Sequence, residues 1–360
     1  MQVTLIFTRV SSIILILVLL AFSVPLAFAQ STPTEFAEMS LEELFELKIE
    51  NETNDDFLES HWHFNYKYMA AQFDGYLAGD SDLSLDQVFW SGPSEERTST
   101  NFPLVPTVIK QQAHLFHFGY QYSDKIELFL SLPYIQQRTD HISRVANYEF
   151  FMVETDGIGD AVLSLNYKFK DLALHRWWVN FSLSLPTGSI DEVGDTPRGE
   201  GNQPLPYTMQ LGSGTFDFPI EFNYQYLGKH DVGLSMSAII RSGKNDRDYR
   251  LGNTYRISAN YRFKLTQNVR LLLGTDAYYW TSISGEDRRL AVAGDFPYAA
   301  SIINPNFYGG KKLKLSTGFS YRYSKNYTFT TKLSKPVYQY LNGPQPKEMW
   351  QASIQLNSAF

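Results

Sequence analysis

The sequence predicts an all-β protein: a transmembrane, antiparallel, up-and-down β-barrel of about 12 strands, preceded by a short N-terminal periplasmic helix. Three observations predict it. The final segment alternates without a break. Trp350, Ala352, Ile354, Leu356, Ser358 and Phe360 fall on one side, and Gln351, Ser353, Gln355, Asn357 and Ala359 on the other. Successive strand residues point to opposite faces, so one side suits lipid and the other water. Eleven further segments repeat this period, and the connections between them alternate between short and long.

The elements follow in order. Residues 1–29 read as a secretory signal: Arg9 supplies the charge, Ile13 to Phe22 the apolar core and Ala27-Phe28-Ala29 the small-residue cleavage site. Residues 30–59 form a polar periplasmic leader. Within it Ser40-Leu41-Glu42-Glu43 is a capping box, and Leu41, Leu44 and Phe45 continue at helical spacing, which predicts an amphipathic helix from Ser40 to Ile49. Residues 60–360 form the barrel. Its outward strand residues begin with Trp62, Phe64, Tyr66 and Tyr68, then Phe116 to Tyr122, Ile126 to Tyr134, Ala161 to Phe169 and Trp177 to Leu185. They continue with Phe216 to Tyr226, Val232 to Ile240, Tyr255 to Phe263, Val269 to Ala277, Leu313 to Tyr323, Tyr327 to Leu333 and the closing segment.

Short turns are expected at Ser123-Asp124, Lys170 to Leu172, Gly228-Lys229, Thr266-Gln267 and Ser324-Lys325. Long loops are expected at about 74–106, 140–156, 188–214, 243–253, 284–308 and 338–347. Short periplasmic turns and long extracellular loops are the outer-membrane pattern, and an even strand number puts both termini in the periplasm. A terminal aromatic, here Phe360, suits recognition by the barrel assembly machinery.

Composition narrows the chemistry. The chain has no cysteine, which excludes disulfides, thiolate metal sites and cysteine nucleophiles. The formal charge is −7, which argues against nucleic acid as a partner. No stretch after Gln30 has the length and apolarity of a membrane helix. The 23 Tyr and 26 Phe suit the aromatic girdles of a barrel in outer-membrane lipid.

Inward positions carry charge. Glu127, Asp160, Asp217 and Glu221 fall on the third to sixth strands, and Arg256, Arg262, Arg270, Lys314, Arg322 and Lys332 on the eighth to eleventh, with Lys67 on the first. Facing walls of opposite sign would set a field across a water-filled lumen; the alternative is a barrel closed by pairing of the same side chains. His61, His63 and His117 are a candidate metal set, because alternation puts His61 and His63 on one face. No cofactor is implied. A hydrolase would need a Ser, His and Asn or acid within reach, or a loop dyad such as Asp140-His141.

Several stretches carry a resemblance. They are Leu132-Pro133-Tyr134 with Asp140-His141, Gly157-Ile158-Gly159-Asp160, Leu185-Pro186-Thr187-Gly188-Ser189-Ile190-Asp191, Leu205 to Thr215 with its Met-Gln-Leu-Gly-Ser-Gly-Thr run, Tyr249 to Gly252, and Tyr338 to Gln345. The chain resembles a family of Gram-negative outer-membrane barrels labelled as transporters and, in related sequences, as belonging to the meta-pathway of phenol degradation. The resemblance implies a barrel and a transport role. Family members are often rich in Met and His near the first strands, whereas this chain has 7 Met and places Trp62, Phe64, Gln111 and Leu115 there.

On the predicted topology these stretches ring the extracellular mouth. Asp191, Tyr207, Gln210, Arg250, Asn342 and Gln345 would be the polar and aromatic contacts of a vestibule, or devices that fold the loops. The function expected is passive passage of a small solute. A non-conducting barrel that binds a metal ion or a partner protein is the second reading, and an outer-membrane hydrolase the third.

Overall fold

The structure is a computed structural model in which residues 61–360 are described. The predicted signal, leader and helix lie outside the described residues. Seventeen strands are present among them: β1 (Trp62–Gly79), β2 (Ser81–Leu83), β3 (Leu104–Ser123), β4 (Ile126–Ser143), β5 (Phe150–Ile158), β6 (Ala161–Leu172), β7 (His175–Leu185), β8 (Val193–Thr196), β9 (Gly199–Pro204), β10 (Asp217–Leu227), β11 (Asp231–Arg241), β12 (Tyr249–Arg250), β13 (Thr254–Lys264), β14 (Val269–Trp280), β15 (Ser284–Gly285), β16 (Gly310–Arg322) and β17 (Tyr327–Ala359). One helical turn, α1 (Leu85–Val88), sits in the first long loop. No described helix is long and apolar enough to cross a membrane.

The wall runs β1, β3, β4, β6, β7, β10, β11, β13, β14, β16, β17, each strand antiparallel to the next, and β17 closes on β1. The last element explains the strand number. It has 33 residues against 13 in β16. Straight, it would run about 110 Å at ~3.3 Å per residue. Instead, Thr328 lies opposite Arg322 and Ala359 opposite His63 at one end, while Leu341 lies opposite both Gly310 and Gly79 at the other. The strand therefore doubles back, and across the two arms the Gln339 side chain donates to the Glu348 carbonyl and accepts from the Glu348 N–H. β5 and β6 pair with the upper and lower parts of β4, so they form one crossing interrupted at Gly159-Asp160. With β17 counted as two arms, twelve described strands cross the membrane, as the sequence pattern predicts.

Outward residues are apolar and meet across strands. The rings of Trp62 and Tyr120 are 4.7 Å apart, and those of Phe64 and Phe118 are 5.2 Å apart. Leu163, Phe181, Phe218, Met236, Ile257 and Leu315 are exposed on the same surface. A belt of this extent is lipid-facing, and the molecule is an outer-membrane barrel.

Three boundaries differ from expectation, and on β4 and β5 the reason is physical. β4 continues to Ser143 and β5 begins at Phe150, β1 reaches Gly79, and the region 338–347 is strand rather than loop. Beyond the membrane the polarity inverts. Arg138, Asp140, Glu154 and Asp156 lie on the outer face, while Ile135, Thr139, His141, Val153 and Thr155 are buried inside. A search for outward apolar residues stops where lipid stops, and the strands do not. The turn expected at Lys170 to Leu172 falls two residues later, after a bulge between Lys168 and Lys170.

Candidate functional site

The loop between β9 and β10 folds into the barrel. Leu211 packs with Met69, Ala71, Phe73, Ile109, Ala113 and Ile135, all inward residues of β1, β3 and β4. This upper inner wall is apolar where a polar lining was expected. Apolar residues are tolerated there because the loop, rather than water, covers them.

Asp160, at the break between β5 and β6, fastens that loop. Its Oδ1 accepts from the Gly188 N–H at 2.8 Å. Its Oδ2 accepts from the Ser213 N–H and the Ser213 hydroxyl, both at 2.8 Å. The carboxylate is 1% exposed. Two glycines permit the approach. A Cβ on Gly212 would lie 2.4 Å from the Gly188 carbonyl, and one on Gly188 would lie 2.6 Å from the Leu211 carbonyl. Close backbone contact thus accounts for glycine in the Thr-Gly-Ser and Leu-Gly-Ser-Gly-Thr runs.

The network continues through the loop base. Thr215 Oγ1 donates to Asp217 Oδ1 at 2.7 Å. Asp217 Oδ2 pairs with Arg241 Nη1 at 2.5 Å, and both side chains are almost wholly buried. Arg241 Nε donates to the Gly252 carbonyl at 2.8 Å, and Asn245 Nδ2 to the Ser213 carbonyl at 3.0 Å. Three loops therefore hang on one chain of polar contacts.

The six residues expected to line a vestibule are largely engaged with the loops themselves. Tyr207 is buried at 1% exposure, its rings meet Tyr249 at 4.8 Å and Tyr308 at 5.7 Å, and its hydroxyl accepts from the Asp287 N–H. Burial pushes the Tyr207 and Tyr249 hydroxyls above the usual phenol range. Tyr298, beside the Glu286 carboxylate, is pushed up to about 12, burial being the larger cause. Gln210 spans its own loop, donating to the Leu205 carbonyl at 2.9 Å and accepting from the Glu192 N–H at 3.0 Å. Arg250 donates to the Arg241 carbonyl, Asn342 to Ser282 and Tyr308, and Gln345 to the Phe307 carbonyl. Asp191 is exposed and pairs with Arg247 and Arg289.

Below the loop the inner face is polar. Glu127 accepts from Asn166 at 3.4 Å, and Glu221 from Asn180 at 3.3 Å; Asn166 and Asn180 are themselves directly opposite one another. Ser164, Asn166, Asn180, Ser182, Asn260, Arg256, Arg262, Arg270 and Arg322 are only part-buried, although they point into a closed wall. Lys67 is part-buried on the inner face of β1.

The basic wall contains acids that simple tallying of the strands passed over. Asp276 accepts from Arg256 Nε at 3.0 Å and Nη2 at 2.6 Å. Glu348 lies between Lys312 and Lys314, 2.7 Å from the latter, and all three are buried. The separation into two charged walls is thus softer than expected. Arg241 and Asp276 share the inward parity of their strands, whereas Glu348 is out of phase with the final segment and turns inward at the register shift between Gln72 and Phe73.

His63 and His117 lie near one another on the inner faces of β1 and β3, but each ring has another partner. His117 Nδ1 is 2.6 Å from the Ser131 hydroxyl and its ring packs on Phe129, His63 Nε2 is 3.5 Å from Glu127, and His61 lies by the Tyr120 ring. Among the described residues no group of three or more His, Asp or Glu side chains is placed to hold a metal ion. Asp140 and His141 lie on opposite faces of β4, so the dipeptide is not a dyad.

Among solved structures, the chain is similar to a COG4313 outer membrane channel from Pseudomonas putida F1, with 14% identity, a TM-score of 0.53, and 84% of this chain and 96% of that chain covered. It is also similar to a TodX monoaromatic hydrocarbon channel deltaS2 mutant, with 10% identity, a TM-score of 0.43, and 84% and 91% covered. A Pseudomonas aeruginosa FadL homologue matches with 9% identity, a TM-score of 0.41, and 85% and 91% covered. No curated protein sequence matches. A family model matches residues 142–335, more than half of the sequence, and the chain belongs to that family, described as "Putative MetA-pathway of phenol degradation".

Proposed function

We propose that this barrel lets a small solute pass by diffusion across the outer membrane, with the Leu205–Thr215 loop as its constriction. The observation that carries the reading is the part-exposed polar belt of Asn166, Asn180, Arg256 and Arg262 inside a closed wall. Side chains that filled the lumen would bury one another. The Pseudomonas putida F1 protein of the same fold is an outer membrane channel, which supports the reading. We propose no catalytic role. In the same reading, residues 1–29 direct export, residues 30–59 form a periplasmic leader, and the final arm with Phe360 is read by the assembly machinery before the belt meets lipid.

The test is single-channel current from refolded protein in a planar bilayer. Discrete steps are expected, and Arg256→Glu should shift cation over anion preference by roughly twofold or more, since Asp276 loses its partner and the lumen gains negative charge. A silent bilayer with inserted, folded protein would overturn the reading.

A further inference from the structure

The lipid-facing belt is not even. Across β10, β11, β13 and β14 it holds a groove of about 470 Å³, walled by Ile220, Phe222, Met236 and Ile257. All four are exposed on the outer face. Ala238 and Ala277 line the groove between them. The register explains the hollow. Ala238 lies opposite Ile220 on one side and Tyr255 on the other, and Ala277 lies opposite Ile257. A methyl group between larger neighbours leaves a depression about one side chain deep, because residues directly opposite one another share a face.

One end of the groove is marked by its chemistry. Tyr255 and Tyr279 stack there, 6.0 Å between centroids and 19° between planes. Each is one residue inside the extracellular end of its strand, β13 or β14. Tyrosines at such a position mark the boundary between hydrocarbon and headgroups. Tyr279 lies opposite Lys311, and Lys311 opposite Tyr340. The Lys311 ammonium is 5.5 Å from the Tyr340 ring centroid. Among the described residues, Lys311 is the one charged side chain at the outward positions of β10, β11, β13, β14 and β16. No Asp or Glu faces outward beside it on β14, β16 or the first arm of β17.

We infer that the groove holds one lipid of the outer leaflet, with an acyl chain lying over Ala238 and Ala277 and a headgroup phosphate at Lys311. The apolar lining opens on hydrocarbon, so its occupant is a hydrocarbon chain. A cation at headgroup depth attracts an anionic lipid. Packing this face against the same face of a second copy would bring no carboxylate to Lys311. The site is on the outer wall and stands whether or not the lumen conducts.

The test titrates full-length refolded protein in detergent with diphosphoryl lipid A and with its fully dephosphorylated form, and counts retained lipids by native mass spectrometry. One diphosphoryl lipid A should be retained, about fivefold more tightly than the dephosphorylated form, which is one cation's worth of headgroup attraction. Lys311→Gln should erase that preference. Ala277→Trp fills the groove from a lipid-facing position and should abolish retention of both lipids, whereas Leu163→Trp, on the outer face of β6, should leave it unchanged. Equal retention of the two lipids by the intact protein overturns the site, as does retention that survives Ala277→Trp. Displacement of the lipid by inorganic phosphate alone overturns the acyl-chain assignment. The comparison of the two lipids needs no variant, so a substitution that fails to fold leaves the site testable.

Discussion

Asp160→Ala is expected to raise single-channel conductance and open probability together. The substitution removes all three hydrogen bonds that hold Gly188 and Ser213. Bonds to a charged acceptor contribute about 1.5–3 kcal/mol each, and adjacent ones are not additive, so a loss of about 3 kcal/mol or more is expected at the loop. That loss falls on the segment carrying Leu211 and not on the wall, whose backbone ladder is untouched. Leu211 then leaves its contacts with Met69, Phe73 and Ile135, and the upper lumen becomes continuous with the polar belt. Planar-bilayer recording decides it: currents indistinguishable from the parent protein would mean that the loop is held by its apolar contacts alone. Asp160→Asn should give an intermediate effect, because an amide keeps one acceptor oxygen and points a donor at a donor.

Arg241→Met is expected to cost about 3–5 kcal/mol of barrel stability. The Arg241 and Asp217 side chains are 0% and 2% exposed, so methionine leaves a buried carboxylate that keeps the Thr215 hydroxyl and loses its cation. The carbonyl of Gly252 loses its donor as well. Denaturant unfolding, followed by the heat-dependent gel shift of folded barrels, measures the loss. The double variant Arg241→Met with Asp217→Leu should recover most of it, because replacing both partners removes the uncompensated charge. A double variant as unstable as the single one would show that the damage comes from packing rather than from charge.

The barrel was legible because lipid imposes a period that water-soluble folds impose less strictly. Trp62, Phe64 and Tyr66 must face one way, and His63, Asn65 and Lys67 the other. Strand length was less legible. Above the lipid the outward residues become Arg138 and Asp140 and the buried ones Thr139 and His141, a reversal that reads as loop when only the apolar set is followed. The constriction was half legible. Asp160, the glycines and the Met-Gln-Leu-Gly-Ser-Gly-Thr run were conspicuous, but nothing local says that Ser213 reaches a carboxylate 53 residues away. Arg241 and Glu348 were overlooked for a different reason. Arg241 pairs with Asp217 on the adjacent strand, and Glu348 with Lys312 and Lys314 of β16, so these charges are offset along the wall rather than across the lumen.

The seam between β1 and the second arm of β17 also sets the order of folding. Trp62 and Phe360 exchange backbone hydrogen bonds although nearly three hundred residues separate them. Chain entropy for bringing such ends together is about 5 kcal/mol, against about 2 kcal/mol for a ten-residue hairpin. Every other wall pairing joins strands that follow one another along the chain, so this seam spans the largest sequence separation and closes on a sheet that the other pairings have already ordered. Until it forms, the sheet has two bare edges with unmatched amides, a state that hydrocarbon does not tolerate. Insertion into the bilayer and closure of the ring are therefore a single event, completed when Trp62 and Phe360 pair.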